Sequence, residues 1–322
     1  MKYKEWLDEW LESYTKVYLK ARTYRNYEGI IKNHISPLLG DYELEDLKFS
    51  VLHSFVIDRE QNAQGRYGKG LAGGTVELII NVLQKSLEMA VEMDKVDHHY
   101  ASRLRRPKTQ NSETDCFTLT EQKMIEDAIL CKMPNKKIGI LISLYTGLRL
   151  GELLALRWDD IDFESCSIKV NHTTRETYPN GKRQTVLETP KTVSSKRIIP
   201  VPNQLIRYLL LMKSVSKSDF VVATKGGATT SRSYQKLYTA LLSRLGIKYR
   251  SFHTLRHTFA TRALECGMDV KTLSEIMGHK SPTVTLNRYS HSLTEHKIAM
   301  MNRLGKNLDR EDTEQQLAEY DG

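Results

Sequence analysis

Four short segments of this 322-residue chain gather side chains that can bind anions, move protons or attack as nucleophiles. The first is Thr146-Gly147-Leu148-Arg149-Leu150-Gly151-Glu152, in which Arg149 and Glu152 stand three apart and so share a helix face. Gly147 and Gly151 flank the arginine, an odd choice at a helix start, and permit close approach by another backbone or a ligand. The second, Thr189-Pro190-Lys191-Thr192-Val193-Ser194-Ser195-Lys196-Arg197, lies between two expected strands and reads as a hairpin tip from which Lys191 can swing. The third, His253-Thr254-Leu255-Arg256, repeats the three-residue spacing, with His257 one residue further round the helix. In the fourth, Gly278 reads as the residue closing one helix and Ser281-Pro282 as the start of the next. His279 is thereby pinned in a tight junction, and Tyr289 ends the second helix.

Each segment alone also has an ordinary reading. A surface Arg–Glu pair contributes little stability. A lysine at a loop tip is usually just solvated, His-x-x-Arg arises easily by chance, and Tyr289 is one of sixteen tyrosines that can serve as core aromatics.

Charge narrows the choice. The chain carries 48 Lys+Arg against 39 Asp+Glu, a formal net charge of +9, with 40% hydrophobic residues. Residues 1–108 are nearly neutral, with 17 basic against 16 acidic, whereas residues 109–309 carry 30 against 18 and residues 310–322 carry one arginine against five acids. The basic block is the one holding all four segments. Such a surface attracts nucleic acid through phosphate contacts and counterion release, or serves only to keep the protein in solution. The apolar fraction is too high for a disordered chain, and no apolar run approaches the ~18 residues of a membrane span. Met1-Lys2-Tyr3-Lys4-Glu5-Trp6 has no signal-peptide core, and the four cysteines, at 116, 131, 166 and 266, are too scattered for a disulfide scaffold or zinc cage. A cytoplasmic protein with no membrane partner and no metal is expected.

The elements that must position these residues follow from periodicity. Residues 3–20 read as an amphipathic helix with Trp6, Leu7, Trp10, Leu11, Tyr14 and Val17/Tyr18 on one face. A second helix runs from an N-cap at Thr23 to His34, ended by Pro37 and Gly40. A third spans Leu44–Val56, residues 61–74 read as a loop, and a fourth helix starts at Thr75. Arg103, Arg105, Arg106 and Lys108 lead into an aperiodic stretch, read either as a solvated linker or as a basic strap on a phosphate backbone. Helices are expected again at 121–131, 136–146 and 149–157, then a small antiparallel sheet over 161–201 with a turn at Pro179-Asn180-Gly181. More helices follow at 203–213, 231–245, 253–266 and 270–277. The fold class is mainly α with a small antiparallel β-sheet.

In order and spacing the four segments closely resemble the tyrosine recombinase (phage integrase) family, over most of residues 115–291. The helical region 1–100 is similar, more loosely, to that family's core-binding domain. The flavour is that of phage or conjugative-transposon integrases, many of which carry a further N-terminal arm-binding domain that is not expected within these residues. The resemblance implies a catalytic set of Arg149, Lys191, His253, Arg256, His279 and Tyr289, with Glu152 in support, and every position of the pattern is filled. It implies transesterification at a DNA phosphodiester: Tyr289 attacks phosphorus, Arg149 and Arg256 clamp the equatorial oxygens, and His279 adds a hydrogen bond. His253 acts as general base or acid, Lys191 protonates the leaving 5′ oxygen, and a 3′-phosphotyrosine results. No cofactor or ATP is needed. The expected organisation is a core-binding domain at 1–106, a basic linker at 107–113, a catalytic domain at 114–305 and an acidic tail at 306–322, arranged as a C-shaped clamp. Expected partners are double-stranded DNA at crossover (core) sites and a homo-tetramer on DNA, with room for an accessory directionality factor. The helix around Ile298, Met300, Met301 and Leu304 would dock on a neighbour in trans or on its own domain. The rival readings are a topoisomerase-like nicking-closing enzyme and a non-catalytic DNA-binding regulator.

Overall fold

The apolar repeat at the start of the chain becomes α1 (Tyr3–Trp10), a π-helical turn at Leu11–Thr15 and α2 (Lys16–Tyr18). The computed structural model describes residues 1–65, 68–107, 115–132, 136–177, 184–188, 196–224, 227–289, 298, 300–302, 304 and 305. A π turn takes in one more residue than an α turn, so the face beyond it rotates. Thr15 ends up fully buried, its hydroxyl donating to the Leu11 carbonyl at 2.8 Å. Val17 and Tyr18, expected on the apolar face, are 67% and 72% exposed.

The second helix also departs from expectation. It begins at α3 (Ala21–Ile30), with Lys20 rather than Thr23 at the N-cap position, so Thr23 lies inside the first turn. It runs on through a second π turn at Ile31–Ile35 into α4 (Ser36–Leu39). Pro37 does not end it: it stands at the first positions of α4, directly after the π turn. Next come α5 (Phe49–Gln61), a two-residue antiparallel ladder of β1 (Gln64–Gly65) and β2 (Gly68–Lys69) inside the expected loop, and α6 (Gly73–Glu92). Trp6, Trp10, Leu52, Val76, Ile80 and Leu83 form the core of this part, and buried Trp6 donates its indole N–H to the Ser86 carbonyl at 2.8 Å. The chain divides into two compact units, Met1–Ser112 and Glu113–Gly322.

In the second unit α7 (Leu119–Leu130) opens on a capping box of Thr118 and Glu121. It leads to the buried, apolar α8 (Ile138–Thr146) and the short α9 (Leu150–Ala155). The strands β3 (Ile161–Asp162), β4 (Ser167–Val170), β5 (Thr173–Thr177), β6 (Gln184–Glu188) and β7 (Arg197–Pro200) then form two separate sheets. One is three-stranded and antiparallel in the order β3-β4-β7, with Ile168 opposite Ile199 in the core. The other is the β5–β6 hairpin. The strands that flank Lys191 do not form the expected hairpin with each other: β6 pairs with β5, and β7 pairs with β4. The expected turn at Pro179-Asn180-Gly181 and Lys191 itself lie outside the described residues.

Helices α10 (Asn203–Val215), α11 (Ser231–Arg244), α12 (His253–Glu265), α13 (Val270–Met277) and α14 (Pro282–Tyr289) complete the unit, with β8 (Ala223–Thr224) and β9 (Gly227–Ala228) as a small ladder before α11. Apolar residues of α8, α9, α11 and the three-stranded sheet share one core, and α12 packs along α8.

Gly147 ends α8 in the left-handed region, at φ +66°, and a Cβ there would stand 2.7 Å from the Phe259 ring on α12. Gly147→Ala should therefore lower stability by about 1–3 kcal/mol in urea unfolding, from left-handed strain plus overpacking. A change within a few tenths of a kcal/mol would contradict that.

Candidate active site

The chemistry-bearing residues meet where two helices end. The last carbonyls of a helix have no intrahelical donor and carry partial negative charge. Here arginines use them. Arg256, on the first turn of α12 and only 2% exposed, donates from Nη1 to the Gly147 carbonyl closing α8 and from Nη2 to the Met277 carbonyl at the end of α13, both at 2.6 Å. Arg149, the N-cap residue of α9, donates from Nη2 to the next carbonyl, that of Gly278, at 3.0 Å. The residue after that is His279. Three consecutive residues, Met277, Gly278 and His279, thus draw two arginines and an imidazole together, as the left-handed Gly278 turns the chain out of α13.

Glu152 is no surface partner of Arg149. Its side chain is 6% exposed and accepts from Arg149 Nη1 at 2.8 Å and from the Arg149 backbone N–H at 3.0 Å. On its other side Arg197, also 6% exposed, donates to both carboxylate oxygens, at 3.2 and 2.9 Å. Arg197 Nε also donates to the Ile276 carbonyl at 2.6 Å. Arg197 was legible only as part of the Arg-Ile-Ile-Pro strand, since nothing in spacing joins β7 to α9. Burial pushes the Glu152 carboxyl up, but the hydrogen bonds and charge of Arg197 and the charge of Arg149 outweigh it and hold it below the usual carboxylate range.

The space that Gly151 leaves is also used. A Cβ there would lie 2.7 Å from Thr173 Oγ1, and the Thr174 hydroxyl donates to the Gly151 carbonyl at 3.2 Å. The β5–β6 hairpin thus rests directly on the helix that carries Arg149.

His279 is half-buried, and Nδ1 lies 2.6 Å from the buried Thr285 hydroxyl on α14. Burial, followed by the charges of Arg256, Arg149, Arg197 and His253, pushes its pKa down to about 4. His253 is exposed at the start of α12, and its ring stands edge-on to the buried His257 at 4.6 Å. Arg149, Glu152, Arg256, His253 and His279 are therefore brought together, with Arg197 added. Lys191 is outside the described residues, and Tyr289 is placed as the last residue of α14. In the first unit Arg103 lies over the Tyr100 ring, Arg105 is exposed, and Arg106 pairs with Glu77 at 3.0 Å and bonds Asn81. Lys108 is outside the described residues.

Glu152→Gln should lower unfolding free energy by about 3 kcal/mol, because it leaves buried Arg197 without its counter-charge; urea unfolding measures this, and a loss below one unit of that scale would contradict it. His279 binds its proton only near pH 4 when folded, against 6.5 for a free histidine. The unfolded chain takes that proton first, so stability falls as pH drops through this window. His279→Gln should flatten the fall in urea titrations between these two values, and an unchanged slope would contradict it.

Residues 118–296 match the phage integrase family, and residues 2–57 match the N-terminal SAM-like domain of phage integrases. A XerC-like tyrosine recombinase of Caldanaerobacter subterraneus subsp. tengcongensis is 30% identical over 315 residues, covering 89% of this chain and 78% of that protein. The transposase of transposon Tn916 from Enterococcus faecalis is 31% identical over 223 residues, covering 64% of this chain and 53% of its own length. The solved structure of the Tn1549 transposon integrase in complex with transposon right-end DNA superposes with a TM-score of 0.78 at 22% identity, covering 95% of this chain and all of that one. No helix among the described residues is long and apolar enough to cross a membrane. The chain belongs to the phage integrase family and is a site-specific DNA recombinase of the tyrosine type.

Proposed function

We propose that this recombinase integrates or excises a mobile element by cutting and rejoining duplex DNA at crossover sites, with Arg149, Lys191, His253, Arg256, His279 and Tyr289 as its catalytic residues. The observation that carries the reading is the junction at the end of α13, where Arg256, Arg149 and His279 are gathered on three consecutive residues. Guanidinium forks match phosphate oxygens, and two of them can neutralise the charge that builds on the equatorial oxygens. The half-exposed Arg149 and the neutral His279 offer their donors to one phosphate, and Arg256 adds charge from beneath.

Tyr289 supplies the nucleophile. Its oxygen bonds to phosphorus as the bond from phosphorus to the 5′ oxygen breaks; the phenolic proton passes to His253, and Lys191 protonates the departing 5′ oxygen. A 3′-phosphotyrosine and a free 5′-hydroxyl result. The ester bond is kept in the protein–DNA link, so a 5′-hydroxyl from a second duplex can reverse the step without ATP. Glu152 supports Arg149 and does not react.

In this reading residues 1–106 form a core-binding domain, 107–113 a linker whose basic approach (Arg103, Arg105, Arg106, Lys108) meets phosphates, 114–305 the catalytic domain and 306–322 an acidic tail. Exchanging two duplexes requires four strand cuts, and each chain offers one Tyr289, so four copies act together. Ile298, Met301 and Leu304 are 60%, 65% and 48% exposed on the single chain, which supports docking of this helical stretch on a neighbouring copy.

A nicked suicide DNA substrate tests the nucleophile. The protein should form a covalent adduct that survives a denaturing gel, and Tyr289→Phe should bind the DNA with unchanged affinity yet form none. Persistence of the adduct in that variant overturns the assignment. Relaxation of a single supercoiled circle without two-site recombination would instead point to a nicking-closing enzyme.

A further inference from the structure

We propose that Thr285 is a positioning residue, whose hydroxyl donates to Nδ1 of His279 and so fixes the ring with its proton on Nε2, facing the scissile phosphate as a neutral donor. The inference rests on the reading of His279 as a phosphate ligand. It starts from hydrogen-bond accounting. Thr285 is fully buried, and its Oγ1 lies 2.6 Å from His279 Nδ1, its one side-chain hydrogen-bond partner among the described residues. A buried hydroxyl hydrogen with no acceptor is costly, and the acceptor that the described residues offer it is the ring nitrogen. If His279 donated instead, the Thr285 proton would have no acceptor among the described residues, and Nε2 would present a lone pair to an anion. The hydrogen bond made by one ring nitrogen thereby decides what the other can do.

Neighbouring bonds reinforce the arrangement. The His279 backbone N–H donates to the Ser274 carbonyl at 3.0 Å, so the main chain is already held by α13 and only the ring remains to be oriented. Thr285 belongs to α14 and stands one turn before Tyr289. The same hydrogen bond therefore ties the helix that ends in Tyr289 to the junction where Arg149 and Arg256 are held. Thr285 touches no DNA in this account and acts through His279.

The test compares Thr285→Val, which keeps the shape and removes the hydroxyl, with Thr285→Ser, which restores it. In the full chain carrying isotopically labelled histidine, two-bond proton–nitrogen correlation at neutral pH should show the wild-type His279 proton on Nε2. Thr285→Val should give a mixture of both tautomers, and Thr285→Ser should return the wild-type pattern. On the suicide substrate, cleavage by Thr285→Val should slow about five- to tenfold, the worth of one hydrogen bond, with DNA affinity unchanged. Adding Thr285→Val to His279→Ala should cause no further loss. A wild-type proton on Nδ1, or a full additional loss in the double variant, overturns the proposal. If His279→Ala slows cleavage while Thr285→Val does not, Thr285 is merely structural. If neither slows it, the phosphate role of His279 is what fails. Circular dichroism on both threonine variants separates these outcomes from misfolding.

Discussion

Like charges brought close together repel, and the second unit gathers three guanidinium groups around one imidazole. What makes that arrangement stable is a matched set of acceptors. Glu152 is shared between Arg149 and Arg197, and four helix-end carbonyls, those of Gly147, Ile276, Met277 and Gly278, each accept one further guanidinium N–H. Those carbonyls are unpaired by the geometry of any helix end, and their partial negative charge is placed where the positive charge is greatest. Each acceptor belongs to a different chain segment from its arginine, except within the Arg149–Glu152 pair. The charge cluster and the tertiary packing of α8, α9, α12, α13 and β7 therefore stand or fall together.

This construction also explains the depressed basicity of His279. A ring half-removed from water beside several cations stays neutral, and a neutral imidazole keeps one N–H to donate without adding repulsion. Two arginines are nearly sealed from solvent while Arg149 is 37% exposed, so the site is graded: a firm buried base with one open cation at its surface. Preorganised charge of this kind is most effective where little reorganisation is needed as the anion develops.

Much of this was readable from local sequence. The motif residues, the glycine that closes α13, the helix start at Pro282 and the switch from helical to two-residue periodicity near residue 161 all depend on neighbours a few positions away. Where the reading failed, a non-local or unusual local term won. The two π turns rotated Val17 and Tyr18 off the core and carried the second helix through Pro37. Strand partners were misjudged because β6 and β7 are adjacent in sequence yet pair with β5 and β4, and for β7 the pairing with β4 places Ile199 opposite Ile168 in the core.

The sequence by itself determined the family, the identity of the candidate catalytic residues and the fold class, because these are encoded in residue types at short, fixed spacings. Only the tertiary structure decided that Glu152 is a buried bridge, that Arg197 completes it from 45 residues away, and that the Thr285 hydroxyl meets the His279 ring. The reason is physical: hydrogen-bond partners of buried charges are chosen by which segments pack together, and periodicity within one segment carries no record of that.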